Sequence, residues 1–254
     1  MTNPSMKNVL ITGGAKRIGR AIALGLAADG WGVAVHYRGS AEAAAKTVQD
    51  IVDARGRATA LQADLADVNT LSPLMERARA EIGPLTALIN NASLFANDDL
   101  ESLTPDSWSS HMDTNLRAPL FLAQAFAKQL PESNSGNIIN IIDQRVWRLT
   151  PRFLSYTTSK AGLWTLTQTL AQSLAPKIRV NGIGPGPTLS NDRQSNADFQ
   201  AQVASTPLQR QISTEEIRAA VRFILASPAM TGQMIALDSG QHLAWETPDA
   251  VGPE

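Results

Sequence analysis

The sequence predicts a doubly wound α/β domain, a parallel sheet with helices on both faces, on three observations. Short apolar runs of strand length alternate with longer stretches of helical period, and parallel strands need a covering helix at each crossover. The strand runs are apolar almost without interruption, as in strands buried on both faces. No repeat, low-complexity tract or Pro/Gly/Ser linker divides the 254 residues, so a single domain is expected over 1–254.

The elements follow in order. Val9-Leu10-Ile11 is the first strand, and Thr12-Gly13-Gly14 leads into a helical pattern from Ile18 to Ala28 that stops at Asp29-Gly30. Val33 to Tyr37 is the second strand. Ser40 is placed to cap an Ala-rich helix from Ala41 to Ala54, ended by Gly56. Ala58 to Gln62 is the third strand, followed by Asp64 and a helix to about Ile82. Leu85 to Asn90 is the fourth strand, and helical patterns over about 105–130 and 154–175 flank the fifth, Asn137 to Ile142. Ile178 to Ile183 is the sixth, a helix covers about 214–226, and Met234 to Leu237 is the last. One insertion, about 184–211, is irregular because Pro185, Pro187 and Pro207 break its pattern.

Composition narrows the function classes. Hydrophobic residues make up 43% and charged residues 18%, an ordinary soluble balance. A net charge of −1 offers no basic face for nucleic acid or an anionic membrane. The chain has no Cys, which removes disulfides and thiolate chemistry. Its three histidines, His36, His111 and His242, are scattered without zinc-site spacing, so no metal is expected. His111 is expected to pack or hydrogen-bond on its helix. The start, Met1 to Asn8, is polar, and no apolar run reaches the ~20 residues needed to span a bilayer. A cytoplasmic protein is expected.

Thr12-Gly13-Gly14-Ala15-Lys16-Arg17-Ile18-Gly19 joins the first strand to the first helix. Glycines there let a backbone approach a pyrophosphate, and a helix N-terminus supplies amides and a favourable dipole. A tight turn before a helix needs the same residues, but the position directly after strand one favours a dinucleotide loop. The end of strand two reads His36-Tyr37-Arg38-Gly39-Ser40, with no acid for ribose hydroxyls. Arg38 can pair with a 2′-phosphate and Ser40 can donate to it, with Arg17 on the adjacent loop. NADP, as NADPH, is therefore the expected cofactor; a solvated Arg38 is the alternative.

Tyr156-Thr157-Thr158-Ser159-Lys160 places a phenol and an ammonium one turn apart on one helix face. An ammonium beside a tyrosine favours the phenolate, drawing its pKa from about 10 toward a useful range. Such a pair is common by chance; here it follows strand five of a dinucleotide fold.

With these motifs in place, the chain resembles the short-chain dehydrogenase/reductase superfamily over almost its whole length. The Thr12–Gly19 loop, Asp64, Asn90-Asn91-Ala92, Asn115, Tyr156 with Lys160, and Pro185-Gly186 carry the resemblance. It implies a Rossmann fold with strand order 3-2-1-4-5-6-7 and a homotetramer. Asp64 and Leu65 are implied at the adenine, Asn91, Ala92 and Ser93 beside the cofactor, and Pro185-Gly186 near the nicotinamide. Lys160 is implied to bind the nicotinamide ribose, and Asn115 to hold a water that feeds it protons.

Two positions depart from that pattern: Arg17 stands where the loop normally has Gly, and Asp143 where most members carry a carbonyl-polarising Ser. An ionised carboxylate cannot donate to a carbonyl oxygen, but it can accept from a ring N–H or share a proton with Tyr156. Both departures occur together in the pteridine reductases and related dihydromonapterin/dihydrofolate reductases, which this chain also resembles at Lys16-Arg17, His36-Tyr37-Arg38 and Asn90 to Phe95. That resemblance implies a pterin held between Phe95 and the nicotinamide, with Arg17 and Ser93 beside it and Asp143 and Tyr156 handling protons. Packing beneath a loop is the alternative for Phe95, and helix capping or a salt bridge for Asp143. The substrate lid is expected within 184–211, and Arg145 or Arg148 is either solvated or a site for an anionic substrate. The expected function is reduction of a pterin or folate-like C=N bond by NADPH. A carbonyl reductase or alcohol dehydrogenase, and a non-catalytic NADP(H)-binding sensor, are the alternatives.

Overall fold

In the computed structural model, which describes residues 7–190 and 195–245, seven strands form one sheet. They are β1 (Asn8–Ile11), β2 (Gly32–Tyr37), β3 (Arg57–Gln62), β4 (Ala87–Asn90), β5 (Gly136–Ile141), β6 (Ile178–Pro185) and β7 (Met234–Leu237). Every pairing is parallel, in the order β3-β2-β1-β4-β5-β6-β7. The helices are α1 (Arg17–Ala28), α2 (Ala41–Asp53), α3 (Leu71–Ile82), α4 (Pro105–Met112), α5 (Ala118–Gln129), α6 (Leu154–Leu174), α7 (Asn196–Ala204) and α8 (Thr214–Ala226). The ends 1–6 and 246–254, and 191–194 of the expected lid, lie outside the described residues.

Strand alternation sorts the core into two layers. Val9 and Ile11, with Val33, Val35, Ile89 and Ile139, face Ile22, Leu26, Ile51, Ile217 and Ile224 of α1, α2 and α8. Leu10, with Ala34, Leu88, Ile138 and Val180, faces Leu74, Met75, Leu122, Phe126 and Ala171 of α3, α5 and α6. Consecutive residues of β1 thus serve opposite layers, the period-two geometry of a strand.

The structure refines several boundaries. The stretch expected as one helix over 105–130 is α4 and α5 joined by a π-helical turn, Asp113–Arg117. That turn carries Asn115 inward with no exposure. β6 continues through Gly184 and Pro185, which pair with Ala236 and Leu237 of β7. A proline is tolerated there because the β5 side of β6 has run out at Ile183. The insertion after it holds α7, whose N-terminus Ser195 caps by accepting from the Asp198 N–H. Ser40 sits at the N-cap of α2, but its side chain makes no capping bond.

The sheet order reverses at β1, which pairs with β2 on one side and β4 on the other. Chain leaving β1 and β4 must diverge there and open a crevice. Two bonds hold its base: the Asn91 and Ala92 N–H groups both donate to Thr12 Oγ1, at 2.9 and 3.0 Å. His36, at the end of β2 and buried, accepts from the Gly13 N–H at Nδ1, 3.1 Å. Its Nε2 lies 3.2 Å from the Ala63 carbonyl. A carbonyl only accepts, so the proton sits on Nε2 and the ring is neutral.

Burial lowers the His36 pKa to about 4, against the raising effect of the Ala63 bond. The unfolded chain, with an ordinary histidine pKa of about 6.5, therefore takes up a proton first as pH falls. Stability should drop by up to about 3 kcal/mol between pH 6.5 and pH 4 through this group alone. Urea unfolding across that window should show a shallower pH dependence for His36→Gln than for the parent; identical slopes would dismiss the assignment.

Candidate active site

The crevice beside β1 is a cavity of about 500 Å³ in which five separate chain segments meet, one of them Thr114 of the π-helical turn. Gly13, Arg17, Ile18 and Gly19 come from the glycine loop, and His36, Tyr37, Arg38 and Ser40 from the end of β2. Asp64 and Leu65 follow β3, and Asn91, Ala92 and Ser93 follow β4. These are all the expected cofactor residues of the first half of the chain, brought together as the spacing required. Lys16 joins them, a second cation of the glycine loop beside Arg17. The charged lining is thus Lys16, Arg17 and Arg38 against Asp64, whose Oδ1 accepts from the Ala66 N–H.

The loop geometry explains its glycines. Gly13 has φ +62, and a Cβ on Gly19 would lie 2.2 Å from the Gly13 carbonyl oxygen. Arg17 also has a positive φ, 54, the conformation for which the common glycine is suited. A side chain there costs roughly 1 kcal/mol. Its guanidinium donates to the carbonyls of Ser190 at 2.7 Å and Leu189 at 3.0 Å, tying the loop to the segment after β6. Arg17 lines both this cavity and the adjoining one.

The adjoining cavity, about 1050 Å³, is walled by Ser93, Phe95, Asp143, Tyr156, Pro185 and Gly186 among others. Tyr156, in the first turn of α6, donates to Asp143 Oδ2 at 2.7 Å. The other oxygen of Asp143 accepts from the Arg145 N–H at 2.8 Å. Burial raises the Asp143 carboxyl above its usual range, opposed by these two hydrogen bonds. Burial and the neighbouring carboxylate together push the Tyr156 phenol well above 10. The expectation that Lys160 would pull this phenol down is therefore not met. The reasons are burial first and then the Asp143 carboxyl beside the phenol.

Lys160 is 2% exposed. Its Nζ donates to the Ile141 carbonyl at 2.8 Å and lies 5.8 Å from the Tyr156 ring centre. Burial lowers its pKa to about 8, with Asp143 opposing the shift. The Asn115 side chain joins two parts of the site. Its Oδ1 accepts from the Leu94 N–H at 2.8 Å, and its Nδ2 donates to the Leu94 carbonyl at 2.9 Å and Ser159 Oγ at 3.1 Å. The side chain is a clamp between the Ser93–Phe95 loop and α6.

Phe95 stacks on Phe153 with ring centres 4.6 Å apart and meets Tyr156 edge-on at 4.7 Å. One face of Phe95 is thus packed by Phe153, while Phe95 also lines the cavity. Phe153 precedes α6 with φ 60 and makes no side-chain cap. Asp98, 57 residues before the helix, supplies the missing cap. It accepts from the Ser155 N–H at 3.1 Å and hydroxyl at 2.5 Å, while its own carbonyl accepts from the Phe153 N–H at 2.7 Å. No local pattern could have disclosed a cap supplied from that distance. His111 also bonds as expected, its Nδ1 2.9 Å from the Ser107 carbonyl, with Nε2 accepting from the Ala96 N–H.

The comparisons agree with this geometry. The model of the short chain dehydrogenase family matches residues 7–201. A 3-oxoacyl-[acyl-carrier-protein] reductase of Synechocystis sp. is 31% identical over 244 residues, covering 94% of this chain and 98% of the relative. A structure of FolM alternative dihydrofolate reductase 1 from Brucella canis, complexed with NADP, is 48% identical. It superposes with a TM-score of 0.93 over 96% of both chains. A blue fluorescent protein from a metagenomic library, in complex with NADPH, is 32% identical, with a TM-score of 0.85 over 92% of this chain and 97% of the other. A family model matched over most of the chain, together with relatives of this identity and coverage, shows that the chain belongs to the short-chain dehydrogenase family of oxidoreductases.

Proposed function

We propose that the protein is an NADPH-dependent reductase of a pterin or folate-like C=N bond, and the observation that carries this reading is the 2.7 Å Tyr156–Asp143 hydrogen bond. The 48% identity to a protein described as an alternative dihydrofolate reductase supports it.

The first cavity fits a 2′-phosphorylated dinucleotide. The close approach of Gly13 and Gly19 leaves no room for a Cβ, and Lys16, Arg17 and Arg38 supply cations with no acid at the end of β2. Ser40 adds a hydroxyl, Asp64 and Leu65 a surface for the adenine, and Pro185-Gly186 the floor of the nicotinamide end. When bound, NADPH supplies the hydride that reduces the substrate carbon.

The chain's own task is the accompanying proton. A ring nitrogen beside the reduced carbon needs one proton as the C=N bond becomes CH–NH. Tyr156 alone, pushed well above 10, is a weak acid. Asp143, raised by burial, is the stronger acid of the pair and shares its proton with the phenol oxygen. The pair delivers that proton, and the carboxylate left behind accepts the Tyr156 hydroxyl. Lys160 holds a positive charge beneath the pair while protonated.

Carbonyl reduction is the competing reading, favoured by the 31% identity to a 3-oxoacyl-[acyl-carrier-protein] reductase. NADPH oxidation at 340 nm with dihydrobiopterin, dihydrofolate and a ketone panel separates them. Turnover of a dihydropterin should fall by about 10²–10⁴ in Tyr156→Phe. Asp143→Ser should lose dihydropterin turnover while gaining ketone reduction. Ketone activity alone in the parent protein would overturn the pterin reading.

The pH profile has a definite direction. Lys160, with a pKa of about 8, is cationic below that value and neutral above it. The kcat/KM of reduction should therefore decline as pH rises through about 8. A profile level from pH 7 to 10 would remove Lys160 from the reaction.

A further inference from the structure

The turn after β5 sets a cation beside the proton-delivering pair. Asp143 opens it and caps a single helical turn, Gln144–Val146. The Arg145 N–H donates to the Asp143 oxygen that Tyr156 leaves unused, at 2.8 Å. That bond fixes the Arg145 backbone against the carboxyl, and its side chain is anchored as well. The guanidinium donates to the Thr150 hydroxyl at 3.3 Å and lies 4.9 Å from the Phe153 ring centre. Thr150 in turn donates to the Arg152 carbonyl at 3.3 Å, which leaves its oxygen free to accept from Arg145. Phe153 stacks on Phe95, which meets Tyr156 edge-on. Arg145, Asp143 and Tyr156 border one cavity.

The other charged and titratable groups around the pair are committed elsewhere. Lys160 of α6 donates to the Ile141 carbonyl. His111 of α4, its ring centre 6.4 Å from that of Tyr156, carries its proton on Nδ1 toward the Ser107 carbonyl and accepts at Nε2, so it is neutral. Asp98 is held by Ser155 and Ser107. Arg17 and Arg148 also line the cavity, and Arg17 is bound to the Leu189 and Ser190 carbonyls. Burial is the main influence on both members of the pair, and it disfavours their ionised forms. The Arg145 charge opposes it at Asp143 and at Tyr156 alike, while Lys160 opposes it at Asp143. A pair that gives up a proton in such surroundings leaves an anion that needs a cation already in place.

Resting on the proton-pair reading above, we propose that Arg145 is a positioning residue that acts through the pair: its guanidinium, held between Thr150 and Phe153, stabilises the anion that Asp143 and Tyr156 become once their proton has passed to substrate. The electron pair of the broken O–H bond stays on the pair, and solvent returns a proton before the next turnover. Arg145 needs no contact with substrate for this, so its contribution falls on kcat and leaves KM alone.

The deciding measurement needs no substrate. Infrared titration follows the Asp143 carboxyl, isolated as the difference between each protein and its Asp143→Asn counterpart. Arg145→Met, which keeps length and removes charge, should move the midpoint to higher pH, because the cation that favoured the carboxylate is gone. Arg145→Gln, a second neutral variant, should do the same, and Arg145→Lys should return the midpoint toward the parent. In turnover, kcat of the neutral variants should fall about tenfold, less than the ~10²–10³ of a donor in direct contact. KM should hold, and Arg145→Lys should recover most of the rate. A midpoint unmoved in both neutral variants would overturn the proposal, even if kcat fell, because the residue would then serve the fold alone. Equal losses with Met and Lys would overturn it too. Since the midpoint is read without substrate, failure of every pterin as a substrate would sink the pterin reading and leave the titration to decide the role of Arg145.

Discussion

A parallel sheet covered by helices on both faces can expose polar chemistry only where its strands end, and that constraint organises this protein. Val9 and Ile11 are committed to one apolar layer and Leu10 to the other, so no side chain of β1 is left for a ligand. Groups that must meet water or a substrate are displaced beyond the strand ends, into the turns after β1, β4, β5 and β6. Thr12, Asn91, Asp143 and Gly186 all occupy such positions. The order reversal at β1 then separates the turns enough to open a crevice.

Within that edge, α6 is the element whose placement matters most, because it carries both Tyr156 and Lys160. Three buried polar connections hold it. Asp98 caps its N-terminus, and Asn115 joins Ser159 to the loop after β4. Deeper in the sheet, Asn90 donates to Asn140, which donates to Thr167 of α6, both at 2.8 Å. Hydrogen bonds of this kind contribute only about 1 kcal/mol each, yet leaving any partner unsatisfied costs more. Their effect is therefore to permit one position of the helix and exclude slid or rotated ones.

Asp143 governs the electrostatics of the whole pair, next to burial. Burial first, and then the carboxylate, hold the phenol protonated, while burial also raises the carboxyl itself. At Arg17 an unfavourable backbone conformation is accepted, and its guanidinium secures the segment after β6.

Periodicity and punctuation in the sequence determined the alternation of strands and helices, the glycine loop, the cation-bearing end of β2 and the Tyr156–Lys160 spacing. Each is a local property: strand and helix periods, turn residues and a one-turn interval need only neighbours in the chain. The family resemblance added the strand order and drew attention to Asp143 and Phe95. Tertiary structure alone decided what those residues touch. The Asp98 cap spans 57 residues, the Asn115 clamp 21 and the Arg17 strap 173. The direction of the Tyr156 shift likewise depends on burial and on which charge lies nearer. Such distances and dielectric surroundings exist only once the chain has closed on itself, which is why residue types were legible beforehand and their partners were not.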